Sequence, residues 1–303
     1  MRASSSRLVY IMVLAGVFSV STSSVLIKMA DAHAAVVVLY RMLFSALFTS
    51  VIMMRLSHGE IKKLSRADTV RGLFGGLFLA LHFLTWILSL QNTTIAASTT
   101  LVSLHPVCIL FFNYLVHGER YTRLALCGAA AALVGVAIIG AGHYAGNGQS
   151  FSGDVLALLG AVFMAAYLLV GRSVRARVSV WTYTTGVYWV AAVIMLIVSL
   201  SLGLRIFDYP ARTFVIFVAL AAVPTLLGHT VFNWALGFVS PAFISVAVLG
   251  EPVGATFLGL IVLGEVPTAR VITGGLLVVC GLAVFASQPV MTGRRPQECG
   301  LNE

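Results

Sequence analysis

Apolar runs, each bounded by charge, Gly, Pro or Asn, recur along the whole chain. Their lengths predict helices over roughly residues 8–30, 33–54, 69–91, 93–116, 123–142, 154–172, 180–203, 213–236, 240–263 and 269–287. Each approaches the ~20 apolar residues that a helix needs to cross a bilayer. Connections are short, except for the polar Arg55–Asp68 and the Gly-rich His143–Gly153. The expected class is an all-α integral membrane protein with ten transmembrane helices. The first run also imitates a secretory signal, with Ala32-His33-Ala34 in the place of a cleavage site. It is longer than a signal core of about 7–15 residues and is interrupted by Lys28, so it is expected to be retained as a span.

Composition agrees with the pattern. Of 303 residues, 59% are hydrophobic and 10% charged, against roughly 25% charged in soluble domains, and mean hydropathy is +1.00. A soluble enzyme, a disordered regulator and a disulfide scaffold are excluded. Ten spans fill about 200 residues, leaving turns and tails. Cys108, Cys127, Cys280 and Cys299 have no CxxC or CxxH spacing, so no redox role, metal or cofactor is expected.

The net charge of +9 is informative only by position. With the N-terminus inside, fourteen Lys or Arg residues fall in cytoplasmic segments, from Arg2 and Arg7 to Arg294 and Arg295, and only Arg205, Arg212 and Arg270 fall outside. That bias places both termini in the cytoplasm and removes nucleic acid as a partner.

Residues 96–140 align without a gap on 242–286, an offset of 146. The register matches Pro106/Pro252, Gly118-Glu119/Gly264-Glu265, Thr122/Thr268, Gly128/Gly274 and Gly135/Gly281. Units of five spans must insert with opposite orientation, so the repeat is inverted. The repeats are expected at 8–142 and 154–287, followed by a cytoplasmic tail, 288–303. Inverted repeats are typical of secondary transporters, whose sites lie near the midplane between the halves.

The Tyr40-Arg41 opening of the second run, the Gly76–His82 stretch and the repeated Pro…Gly-Glu-x-x-Thr segments carry a family likeness. They resemble the EamA domain of the drug/metabolite transporter superfamily, over about 8–287. The resemblance implies two inverted five-helix repeats around a central cavity in a bacterial inner membrane. Members of the family move amino acids, riboflavin, S-adenosylmethionine, nucleotide sugars or opine-like metallophores. The first run departs from the family by having Phe18-Ser19 where a Trp-Gly pair is common, and it is rich in hydroxyls from Ser19 to Ser24.

Polar residues inside apolar runs mark the expected substrate pathway. Glu251, before Pro252, lies halfway along the ninth run, and His105-Pro106 is its repeat equivalent. Each proline denies a donor to a carbonyl four residues back, and an imidazole opposite a carboxyl suits proton handling. His82 and Trp86 share a helical face, as do His229 and Asn233 beyond Pro224. Tyr167 adds an aromatic wall. Lys28 and Arg41 are expected at the outer end of the first hairpin, snorkelling to headgroups or forming a basic gate. Glu119/Thr122 and Glu265/Thr268 are expected as hinges and helix caps. Gly72/Gly76 and Gly250/Gly254 have the spacing of sliding faces, and the glycine-lined fifth and tenth spans suggest a lateral interface in a homo-oligomer.

The expected function is export of an amino acid or an amino-acid-derived zwitterion, driven by the solute gradient or by protons. The alternatives are uptake of a vitamin or nucleotide-like metabolite and, in another class, a non-transporting sensor or assembly subunit. Absence of HExxH, GxSxG and GxGD removes the constellations of intramembrane hydrolases.

Overall fold

The computed structural model describes residues 2–117, 120–141, 149–175, 177–235, 247–287 and 290–291. Its helices are α1 (Arg2–Met29), α2 (Ala34–Leu56), α3 (Arg66–Asn92), α4 (Ile95–Val102), α5 (His105–His117), α6 (Arg123–Ala141), α7 (Gln149–Arg175) and α8 (Val180–Ser201). They continue with α9 (Ala211–Leu220), a π-helix (Ala221–Thr230), α10 (Val231–Ala235), α11 (Gly250–Leu263) and α12 (Ala269–Ala286). Among the described residues, six helices are long and apolar enough to cross a membrane, and Ile95–Ile109, Arg123–Ile139, Gly250–Leu263 and Ala269–Phe285 are shorter apolar segments. Leu14, Phe18, Val215 and Ile261 are exposed on the periphery, a surface suited to lipid rather than water.

Side-chain hydroxyls start these helices. Ser65, Thr94, Thr122, Ser179 and Thr268 accept from the backbone N–H groups of Asp68, Ala97, Ala125, Thr182 and Val271. Each satisfies a donor that the first turn leaves without a partner. Thr122 and Thr268 thus cap α6 and α12; Glu119 lies outside the described residues, as does the tail 288–303 apart from Val290–Met291, which pair with Arg120–Tyr121.

Two predicted runs are not single α-helices. The fourth divides at Ser103-Leu104 into α4 and α5. Pro106 has no N–H for the Val102 carbonyl, and His105 Nδ1 takes that acceptor at 3.3 Å. The eighth run widens into the π-helix instead of breaking. Pro224 denies Leu220 its i+4 donor, and the Thr225 hydroxyl, one position later, donates to the Leu220 carbonyl at 2.9 Å. At the far end Thr230 donates to Thr225 over the same five-residue interval, at 3.1 Å.

Packing pairs α3 with α7, α2 with α8, α1 with α11, and α6 with α12. The last pair is tightest. A Cβ on Gly128 would lie 2.6 Å from the Gly281 carbonyl oxygen, and one on Gly135 would lie 2.5 Å from that of Gly274. The reverse contacts are equally close, at 2.5 Å for Gly281 and 2.6 Å for Gly274. Gly128 thus meets the repeat equivalent of Gly135, and Gly135 meets that of Gly128. Reciprocal contacts between antiparallel, repeat-equivalent helices are those of a two-fold axis passing between them. The suggested lateral interface between copies is overturned for these glycines, because they are already occupied by each other. The sliding-face reading also changes for α3: a Cβ on Gly72 would meet nothing within 4 Å, whereas Gly75 and Gly76 pack on Tyr183, Val187 and Val190 of α8.

At one end of the bundle, the segment after α2 is tied to the α7–α8 connection. Glu60 Oε2 accepts from Ser179 N and the Thr182 hydroxyl, both at 2.9 Å, and Asp68 pairs with Arg177. Burial raises the Glu60 carboxyl, but the Ser179 and Thr182 hydrogen bonds and the nearby Arg175 outweigh it and hold it below the ordinary carboxylate value. A depressed folded-state value means stabilisation present above the unfolded pKa of about 4.3 and lost as pH falls through the folded one. Glu60→Gln is therefore expected to lower stability by roughly 1 kcal/mol at neutral pH. The difference from the parent should vanish in melts at pH 3.

Candidate functional site

Arg41 lies one turn before Ser45, the midpoint of α2, and its side chain enters the bundle with 0% exposure. Nε donates to the Thr225 hydroxyl of the π-helix and Nη1 to the Ser23 hydroxyl of α1, each at 3.0 Å. The guanidinium carbon sits 4.1 Å above the Phe83 ring and 6.0 Å from the Trp86 ring. A cation taken out of water costs several kcal/mol; two neutral hydroxyls and a desolvated cation–π contact of about 2 kcal/mol offset part of that. Among the described residues no carboxylate lies within 4.0 Å of it. The Tyr188 hydroxyl, hydrogen-bonded to Thr230, and the Glu251 carboxyl lie in electrostatic range of it.

This position corrects the expectation for Arg41. It does not snorkel beside Lys28 at the outer end. Lys28 is the penultimate residue of α1 and reaches the helix ends, whereas Arg41 is two turns inside α2. Lys28 Nζ pairs with Glu265 at 3.3 Å and donates to the Thr93 carbonyl at 3.1 Å. Glu265 Oε1 also accepts from Ile95 N at 3.0 Å, so it caps the start of α4. A shallow surface depression beside it is lined by Thr94, Ile95, Ala96, Thr256, Gly259, Glu265 and Pro267.

Around Arg41 the structure gathers most of the expected pathway residues. His82 stacks on Trp86, with centroids 6.0 Å apart and 13° between planes. Its Nδ1 is 2.9 Å from the Gly160 carbonyl; since a carbonyl only accepts, Nδ1 carries the proton and Nε2 is left as an acceptor. His229 meets the edge of Phe83 at 6.1 Å and is in electrostatic range of Arg41, His82 and His105. His105 and Glu251 occupy equivalent first turns, of α5 and α11, with Pro106 and Pro252 following. Proline is tolerated there because those N–H groups need no intrahelical acceptor. No hydrogen bond or ion pair joins His105 to Glu251 among the described residues.

Tyr167 stands apart. It stacks on Tyr183 at 6.3 Å, and both act on Arg175 with Glu60, placing them toward the Glu60 end. The Asn233 side chain lies outside the described residues. Sequence reasoning missed Phe83, Ser23 and Thr225 as neighbours of one buried cation. The hydroxyl-rich first helix and the Pro224-Thr225 pair were the available signals. No cluster of His, Cys, Asp and Glu suits a metal ion among the described residues.

The chain is 24% identical over 249 residues to "Uncharacterized transporter YxxF" of Bacillus subtilis, covering 82% of this chain and 79% of the relative. It is 26% identical over 271 residues to "Pseudopaline exporter CntI" of Pseudomonas aeruginosa, covering 86% and 90%. A crystal structure with 19% identity superposes with a TM-score of 0.66 over 92% of this chain and 96% of the other, which shows a shared fold. The model of the EamA-like transporter family matches residues 7–141 and again 151–287. The chain is an integral membrane protein and belongs to the EamA-like transporter family.

Proposed function

We propose that the chain is a secondary carrier of the bacterial inner membrane that exports an amino acid or an amino-acid-derived zwitterion. The observation that carries this reading is the cluster of buried Arg41 and His82 with half-buried His105, His229 and Glu251 beside the faces of Phe83 and Trp86, drawn from elements of both repeats. A zwitterion offers a carboxylate to Arg41 and an ammonium group to Glu251. The exporter named among the relatives supports the direction. Ten crossings in two inverted repeats, 8–142 and 154–287, account for the reciprocal glycine contacts, and the Lys/Arg bias supports cytoplasmic termini. Lys28–Glu265 then closes the outer end and the Glu60 and Asp68 contacts close the inner one. Alternating access breaks these two sets in turn while the discontinuous α4–α5 and its repeat counterpart α11 rock around the site. Glu251 and His105 are the proton carriers.

The test is efflux from proteoliposomes loaded with the twenty amino acids, followed by mass spectrometry with and without a pH gradient. A subset of solutes is expected to leave faster than from protein-free liposomes. Glu251→Gln is expected to make that flux indifferent to the pH gradient. Unchanged flux in both Glu251→Gln and His105→Ala rejects the site, and binding without flux supports a sensor instead.

A further inference from the structure

Among the described residues, two buried donors in the cluster have no acceptor: Nη2 of Arg41 and Nε1 of Trp86. They belong to adjacent groups, since the guanidinium carbon is 6.0 Å from the Trp86 ring. Buried donors in folded proteins almost always find partners, and an orphaned charged one is the most costly kind. The other guanidinium nitrogens are engaged by Ser23 and Thr225, and Phe83 covers one face of the group. What the site lacks is therefore an acceptor-only group with two oxygens and one negative charge.

The geometry points to a receptor for a substrate carboxylate, with Arg41 Nη2 and Trp86 Nε1 as its two donors. This deepens the carrier reading and rests on it. A phosphate fits less well: it carries more charge and more acceptors than one cation and two donors satisfy, and it would face Glu251. A monoanionic carboxylate balances Arg41, while Glu251 and the free Nε2 of His82 stay available to an ammonium or hydroxyl on the same solute. Specificity follows from the orphaned donors, because a solute lacking the carboxylate leaves both unpaired on binding.

The experiment uses the full chain in nanodiscs with ¹⁵N-labelled tryptophan. Of the four indole N–H signals, Trp86→Phe identifies the one from Trp86. Acetate is expected to move that signal, whereas acetamide and chloride at equal ionic strength leave it in place. Trp86→Phe is expected to weaken acetate binding, measured by calorimetry, about tenfold, the equivalent of one hydrogen bond to a charged group. Arg41→Lys is expected to weaken it further while the chain stays folded. An unmoved Trp86 signal, an equal response to acetamide or chloride, or undiminished affinity in Trp86→Phe overturns the assignment. Efflux measured on the same preparation separates the two readings. Flux without an acetate response removes the receptor and keeps the carrier; an acetate response without flux of any amino acid keeps the anion site and removes the carrier.

Discussion

Arg41→Met is expected to give a chain that inserts and folds normally but carries its solute roughly 10- to 100-fold more slowly. The magnitude is that of a hydrogen bond to a charged group, about 1.5–3 kcal/mol, with about 1.4 kcal/mol per factor of ten. Folding should survive because methionine fills similar length against Phe83 and Trp86 and brings no charge to desolvate. The hydroxyls left behind are not stranded. Thr225 keeps its bond to the Leu220 carbonyl, and Ser23 can donate back along α1 as Ser19 and Ser21 already do. Arg41→Ala is a poorer probe, since it adds a cavity to the loss of charge. Arg41→Lys should retain partial flux, because a lysine replaces the planar fork with a point charge. The readouts are thermal stability in detergent beside efflux from proteoliposomes. Wild-type efflux from a stable Arg41→Met chain would make this arginine a structural strut.

The apolar runs located most helices to within a few residues, as for 180–203 against Val180–Ser201 and 269–287 against Ala269–Ala286. Bilayer-spanning helices are defined by length and hydropathy, and both are local properties. Depth and rotation are not. Lys28 and Arg41 flank one turn in the sequence and were assigned together, but α1 ends one residue after Lys28 while α2 begins seven residues before Arg41. At about 1.5 Å per residue that separates them by some 10 Å of depth. Because α2 is apolar on all sides, periodicity does not choose the face that Arg41 enters. The π-helix was hidden for a different reason. Pro224 announces a disturbance, but whether the helix breaks or widens depends on the Thr225 hydroxyl and the Arg41 donor that fix the slipped register. The glycine register was legible as a repeat, although its partner was not. Only the antiparallel packing of α6 on α12 shows that the matched positions face each other.

That packing sets up the largest stability effects. Gly135→Val and Gly274→Val are each expected to abolish recovery of folded protein, and the alanine variants at the same positions to cost about 1–3 kcal/mol, the range for overpacking a close contact. The built Cβ would stand 2.5 or 2.6 Å from the opposing carbonyl oxygen. Backbone on both sides gives way less readily than a side chain, so the helices must separate. Gly72→Ala is the control, since its Cβ meets nothing within 4 Å and alanine favours the helix. A two-fold relation makes a sharper demand than steric crowding alone. Gly128→Ala should match Gly274→Ala in its effect on the melting temperature, and Gly135→Ala should match Gly281→Ala, because each pair is repeat-equivalent. The double variant Gly135→Ala/Gly274→Ala should cost less than the two singles added together, since one separation of the helices relieves both contacts. Strict additivity, or unequal effects within a pair, would mean that the two halves respond independently and that the seam is not the pivot about which they are related.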